Sequence, residues 1–293
     1  MKIKGLTMSI IFQAESGNYG ETIGNVASLK KLSRGKGEQY TYISRQALRY
    51  NIVNQMGIDN TKVDIDKSVV QFAPDVTIKD YPEIDLFGYM KTAGEQKTRS
   101  AVVRLSNAVS LETFKGDLDF LTNKGLYDRY AKQENKNESV KGGSIAQSEI
   151  HKSYYAYTIT VDLDRVGIDE NDGIEIDNKE KANRIIKLLD TIRFLYRDIK
   201  GRREDLKPLF AIGGVYDIKN PIFHNALDIK NNRLDVNRIK DVLYEDIKDD
   251  TRCGLIKGIF DNDNEIINEL GALPMPQYFE LIKKEVKEYY ESN

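Results

Sequence analysis

The sequence predicts an α+β fold: strands and helices follow one another as βαββαβ within a single domain, 1–293, that carries two long insertions and a mostly helical C-terminal part. Three observations predict it. Leu6, Met8, Ile10 and Phe12 recur at period two. Residues 153–164, SYYAYTITVDLD, are dense in tyrosine and β-branched side chains. Ile185, Leu188, Leu189, Ile192, Leu195, Tyr196 and Ile199 recur at helical spacing.

Taken in order, residues 2–12 form a largely buried strand with Ile11 on its second face. A long loop follows, carrying Gly17, Gly20, Gly24, Gly35 and Gly37, and leads into a helix over 44–56. Ser44 is a suitable N-cap, and Ala47, Leu48, Ile52, Val53 and Met56 can face a core while Arg45 and Arg49 stay outside. Residues 57–98 are broken by Gly57, Asp59, Asn60, Pro74, Pro82 and Gly94, which marks an elaborated insertion rather than a connector. Residues 99–111 read as a strand. Residues 115–152 turn polar, with loop chemistry at 133–139 and 142–144, and form the second insertion. The strand over 153–164 is followed by an acidic stretch from Asp162 to Asp177 whose spacing fits no EF-hand loop. A helix over 179–200 stops at Gly201, and Leu209–Tyr216 is a buried strand interrupted by Gly213 and Gly214. Asn220-Pro221 is a turn, and 234–293 is mostly helical.

The chemistry concentrates near the first helix. Lys30, Lys31, Arg34, Lys36, Arg45 and Arg49 stand against Glu38 alone, in a chain whose net charge is −2. A local positive surplus on a slightly acidic protein points to a directed anion-binding surface. A helix beginning at Ser44 aims the positive end of its dipole at the basic loop, and Arg45 and Arg49, four apart, share one face on which to grip phosphates.

Composition excludes other classes. The chain is 40% hydrophobic and 31% charged, as expected of a folded protein. It has no apolar run long enough for a membrane helix and starts without a signal-peptide pattern, so the cytoplasm is the expected location. Cys253 is the single cysteine and His151 and His224 the only histidines, which argues against a disulfide, a Cys/His zinc site or a Ser-His-Asp arrangement. Neither metal nor cofactor is expected.

The order of strand, glycine-rich basic loop and S-x-Q-x-x-R at a helix start resembles the backbone subunit of type I CRISPR surveillance complexes (Cascade), the Cas-seven family of the RAMP superfamily. The segment 85–90, DLFGYM, and the basic strand 99–110, RSAVVRLSNAVS, resemble the DevR-like branch found in type I-B systems. The resemblance spans roughly residues 1–225. It implies a ferredoxin-like or RRM-like palm, with 57–98 as "fingers" and 115–152 as a "thumb" reaching along the guide. It also implies CRISPR guide RNA as ligand, further copies stacked head-to-tail, other Cascade subunits as partners, and target DNA met through the guide.

On this reading the RNA-binding residues are Lys30, Lys31, Arg34, Ser44, Arg45, Gln46, Arg49, Arg99 and Arg104. Gly213 and Gly214 join them through the superfamily's glycine-containing segment near RNA. Tyr154, Tyr155 and Tyr157 are expected to pack rather than stack on bases, and Leu86, Phe87 and Tyr89 to pack locally. Related type III subunits cut target RNA with an aspartate in the loop after the first strand. Here that loop, 13–43, holds Glu15, Glu21 and Glu38 but no aspartate, so a non-catalytic scaffold is expected, with an RNA endonuclease as the alternative. A transcriptional autoregulator is a weaker alternative, since no basic recognition helix of the helix-turn-helix type stands out.

Overall fold

The alternation at the N-terminus sets the architecture. In the computed structural model, which describes residues 4–92, 96–133 and 145–293, β1 (Gly5–Ala14) is the centre of the main sheet. Its even-numbered residues Leu6, Met8, Ile10 and Phe12 enter one hydrophobic core, and Ile11 enters a second on the opposite face. The other members of the sheet are β2 (Lys31–Arg34), β3 (Glu38–Ile43), β4 (Val103–Leu105), β5 (Ala108–Ser110), β6 (Ser153–Asp162), β7 (Phe210–Tyr216), β8 (Thr251–Leu255) and β9 (Leu273–Pro274). They lie in the order β9-β8-β7-β1-β6-β5-β3-β2, with β4 pairing β6 beside β5. Every pairing except β8 with β9 is antiparallel.

Three helices cover the first face: α1 (Arg45–Met56), α2 (Asn178–Ile192) and α3 (Met275–Glu291). Leu48, Ile52, Val53 and Met56 of α1 share that core with Ile185, Leu188, Leu189 and Ile192 of α2 and with Tyr278, Phe279, Ile282 and Val286 of α3. Tyr155 and Tyr157 project into it fully buried, so they pack as expected. The second face is covered at one end by Phe223, Ala226, Leu234, Val236, Ile239, Phe260 and Ile266, packed on Phe210, Ile212 and Tyr216 of β7.

Several expectations need correction. The glycine-rich stretch 13–43 is mostly strand: Tyr19–Ile23 pairs with Val26–Leu29, and β2 pairs with β3. Its glycines make the turns, as at Gly35 and Gly37, whose φ values of 52° and 93° suit glycine. The second insertion is also ordered where described. Asp117–Thr122 pairs with Ile145–Ile150, which joins Val26–Leu29 and Tyr19–Ile23 in a four-stranded sheet, and a helix spans Lys124–Gln133. The loop expected at 133–139 and 142–144 lies, beyond Gln133, outside the described residues. The helix expected over 179–200 ends at Ile192, and Tyr196–Ile199 turns through Lys200-Gly201 into Arg202–Asp205, so Gly201 serves a hairpin turn rather than a helix stop. The C-terminal part is mostly helical, as expected, with β8 as an added strand of the sheet.

The first insertion has a core of its own, formed by Ala73, Val76, Ile78, Ile84 and Tyr89 around the hairpin Val63–Asp66/Val69–Phe72, the helix Pro82–Phe87 and the hairpin Tyr89–Lys91/Lys97–Arg99. It is locked to the main domain by Asp85, fully buried, which accepts from Arg99 Nη2 at 2.7 Å, Arg184 Nη1 at 2.8 Å and the Gly167 amide at 2.9 Å. No helix among the described residues is long and apolar enough to cross a membrane.

Candidate nucleic-acid interface

The strand between the two insertions breaks at Ser106-Asn107, and the break builds the site. Asn107 Oδ1 accepts from the Arg45 amide at 2.9 Å, Asn18 Oδ1 accepts from the Ser44 amide at 2.5 Å, and Ser44 Oγ accepts from the Ala47 amide at 3.3 Å. The start of α1 is therefore capped by side chains from three segments, and the amides of Arg45 and Ala47 are already paired. What the helix offers outward is its side chains.

Arg45, Gln46, Arg49 and Arg104 line one open cleft of about 390 Å³ with Phe87, Ala101, Val103 and Leu105. Arg45 and Gln46 are exposed. Arg49 lies over the Phe87 ring at 5.1 Å, 3.8 Å from Glu83, and its partial burial lowers its pKa, with Glu83 opposing. Arg104 is about half exposed and donates to Asp162 at 2.9 Å. Three guanidiniums and an amide around one apolar floor can bind phosphodiester oxygens by charge and direct hydrogen bonds.

The remaining sequence-predicted residues divide. Lys30 is exposed and does not line this cleft. Lys31 is held by Glu149 at 2.5 Å and lies over Phe114 at 4.4 Å, so its ammonium serves the contact between β2 and the second insertion. Arg34 is exposed, stacks on Tyr40 at 5.4 Å and lines a different cleft with His224 and Arg238.

Arg99 must be withdrawn from the surface. Its side chain is 5% exposed and bonded to Asp85 and to the carbonyls of Ile168 and Arg165. Gly213 and Gly214 are withdrawn too: both are buried mid-strand in regular register with Met8 and Thr7. A Cβ on Gly213 would lie 1.9 Å from the Thr7 carbonyl oxygen, and one on Gly214 2.0 Å from that of Asp250, so the pair permits close backbone packing inside the fold, without a bulge.

Sequence reasoning missed Asn18, Asn107 and Phe87 as parts of this interface. Asparagine is depleted in strands, so Asn107 inside a strand pattern was the available signal. Phe87 packs locally as expected, at 5% exposure, while one edge still floors the cleft.

Residues 6–232 match the family described as CRISPR-associated negative auto-regulator DevR/Csa2. No match was found among curated proteins. Two solved structures share the fold: a chain of a "CRISPR RNA-guided surveillance complex, pre-nicking" (TM-score 0.60, 13% identity, 96% of this chain and 99% of that one) and a chain of a "CRISPR RNA-guided surveillance complex" (TM-score 0.59, 15% identity, 96% and 98%). The order of motifs, the mixed α+β architecture and the family match agree, and the chain belongs to the DevR/Csa2 family of CRISPR-associated proteins.

Proposed function

We propose that this protein is a non-catalytic RNA-binding backbone subunit of a type I-B Cascade complex, polymerising in the cytoplasm along a CRISPR guide RNA and presenting its bases to target DNA. The observation that carries the reading is the convergence of Arg45, Gln46, Arg49 and Arg104 on one cleft beside the capped start of α1. Contacts of this kind grip sugar-phosphate and are indifferent to sequence, which leaves the bases free to pair.

The palm, on this reading, is ferredoxin-like. The order β7-β1-β6-β4/β5, with α1 and α2 on one face and antiparallel pairing throughout, supports it. The insertions over 57–98 and 115–152 act as fingers and thumb, and exposed apolar side chains on both, Ile65 and Val70 on one and Phe120 and Leu121 on the other, suit contacts with neighbouring copies or other Cascade subunits. A non-cutting role is favoured because the carboxylates of the β1–α1 segment include none of the aspartates used by cleaving relatives, and two of the three are engaged: Glu15 faces Arg202 at 3.5 Å and Glu38 accepts from the Tyr40 hydroxyl.

The test is a nuclease challenge of the protein purified with a CRISPR RNA. Stacked copies leave a ladder of protected lengths at regular intervals, while a single short footprint, or none, removes the polymer. Cleavage of bound target RNA at regular intervals would restore the endonuclease alternative. The family's description as an auto-regulator favours a second reading, whose mark would be specific duplex-DNA binding without RNA.

A further inference from the structure

On the face of the main sheet opposite α1, α2 and α3, beyond the Ser106-Asn107 break, lies a second cleft of about 510 Å³ that includes Arg34, Asn107, His224, Asn225 and Arg238. We infer that this cleft is where the protein recognises ribose, so that RNA is distinguished from DNA here while the Arg45/Arg49/Arg104 cleft accepts either backbone. The inference rests on the proposed RNA-binding function and extends it to a separate set of residues.

The two clefts are neighbours through a shared wall. Val103, Arg104 and Leu105 line the first, Ser106 and Asn107 the second, and Asn107 Oδ1 is tied to the Arg45 amide at the first cleft's edge. A strand of nucleic acid leaving the first cleft across this break enters the second.

The second cleft differs in chemistry. Two guanidiniums, Arg34 and Arg238, face one carboxylate, Asp228, to which Arg238 donates at 3.3 Å. Between them stand neutral hydrogen-bonding groups. With its oxygen committed to Arg45, Asn107 has its amide NH₂ left to donate. His224 Nδ1 lies 3.3 Å from Thr158 Oγ1, itself 2.6 Å from the buried Ser9 hydroxyl, so the imidazole is anchored from below and Nε2 lies on the far side of the ring. Asn225 is exposed beside it. The turn carrying both is pinned by Phe223, fully buried, and by the His224 amide donating to the Pro221 carbonyl at 2.9 Å.

Desolvation and the Arg34 charge lower the His224 pKa, which keeps the ring neutral near pH 7, able to donate or accept. Fixed, neutral donors and acceptors suit a hydroxyl that both donates and accepts, and the 2′-OH is the group that marks RNA.

The test uses fluorescence anisotropy of the full chain with a uridine-rich RNA oligomer and its 2′-deoxy counterpart at one salt concentration. Wild type is expected to favour RNA. Asn225→Ala and His224→Ala, separately and together, are expected to weaken RNA binding about three- to tenfold, the size of a lost hydrogen bond or two, and to leave the deoxy oligomer unchanged. Arg45→Ala with Arg49→Ala should weaken both oligomers alike. Melting curves matching wild type establish that the variants fold, and Asn225→Ala alone suffices if His224→Ala does not.

RNA and deoxy affinities that fall together, or an RNA preference untouched by these changes, overturn the inference and leave the proposed function standing. Wild-type protein that binds neither oligomer overturns both.

Discussion

Arg99 and Arg104 lie five positions apart on what reads as one basic strand, and the fold sends them to opposite fates. The Arg99 side chain is 5% exposed and shares Asp85 with Arg184, while that of Arg104 is 46% exposed at the edge of a cleft. Truncating one member of a buried charge cluster leaves its partners uncompensated, so Arg99→Ala should cost about 3–5 kcal/mol. Arg104→Ala should cost under about 1 kcal/mol, as expected for a partly exposed pair. Urea melts of the two variants check this, and comparable losses would refute the buried-cluster reading.

On the proposed RNA-binding function, the exposed arginines matter more than the buried one. Arg45→Ala with Arg49→Ala should weaken binding to any guide and reduce the salt dependence by about one to two phosphate contacts. An unchanged slope would take those residues out of the site. Arg49 has the further role of lying over Phe87, so the single Arg49→Ala variant is also expected to loosen the cleft floor.

Among the elements, β7 makes the sharpest demand on its sequence. Gly213→Ala places a methyl carbon 1.9 Å from a backbone oxygen of β1, so the two central strands must separate. A severe loss of thermal stability or of soluble protein is expected, whereas Gly125→Ala, on the exposed helix Lys124–Gln133 with open space around it, should be neutral or mildly stabilising by about 0.5–1 kcal/mol. Paired melting curves decide it.

Elements that bury one face were legible in the sequence: β1 by its alternation, α1 by its cap and apolar face, β6 by its density of tyrosines. Elements that bury little were not. All six residues of Asp117–Thr122 are exposed, so no buried face marks this strand within a polar stretch. The hairpins within 13–43 were hidden by glycines that punctuate turns rather than fill a loop. The site was half legible for the same reason: charge and helical spacing found Arg45 and Arg49, but only tertiary structure reveals that Lys31 answers Glu149 and that Asn107 caps a helix 62 residues earlier.

Across the whole molecule, only two histidines titrate near neutral pH, and both have lowered pKa values. His151 is buried, with Nδ1 2.8 Å from the Thr41 hydroxyl, and desolvation is the main cause of its shift. The unfolded chain therefore binds protons that the folded one resists. Stability from these groups is complete above the unfolded value of about 6.5 and declines as pH falls through it. The melting temperature should be level between about pH 7 and 8 and fall below about 6.5, and His151→Gln should flatten that fall. A wild-type curve level down to the carboxylate range, near pH 4, would refute it.

The Asp85 cluster also sets an order of events during synthesis. Its carboxylate leaves the ribosome 99 residues ahead of Arg184, which together with Arg99 and the Gly167 amide completes its burial. At translation rates of about 5–20 residues per second, that is an interval of about 5–20 s. Throughout it the first insertion has its small apolar core but no buried partner on α2, so its docking belongs to a late stage of maturation. A growing chain thus passes through a state in which the first insertion, Phe87 included, is not yet locked to the main domain through Arg184.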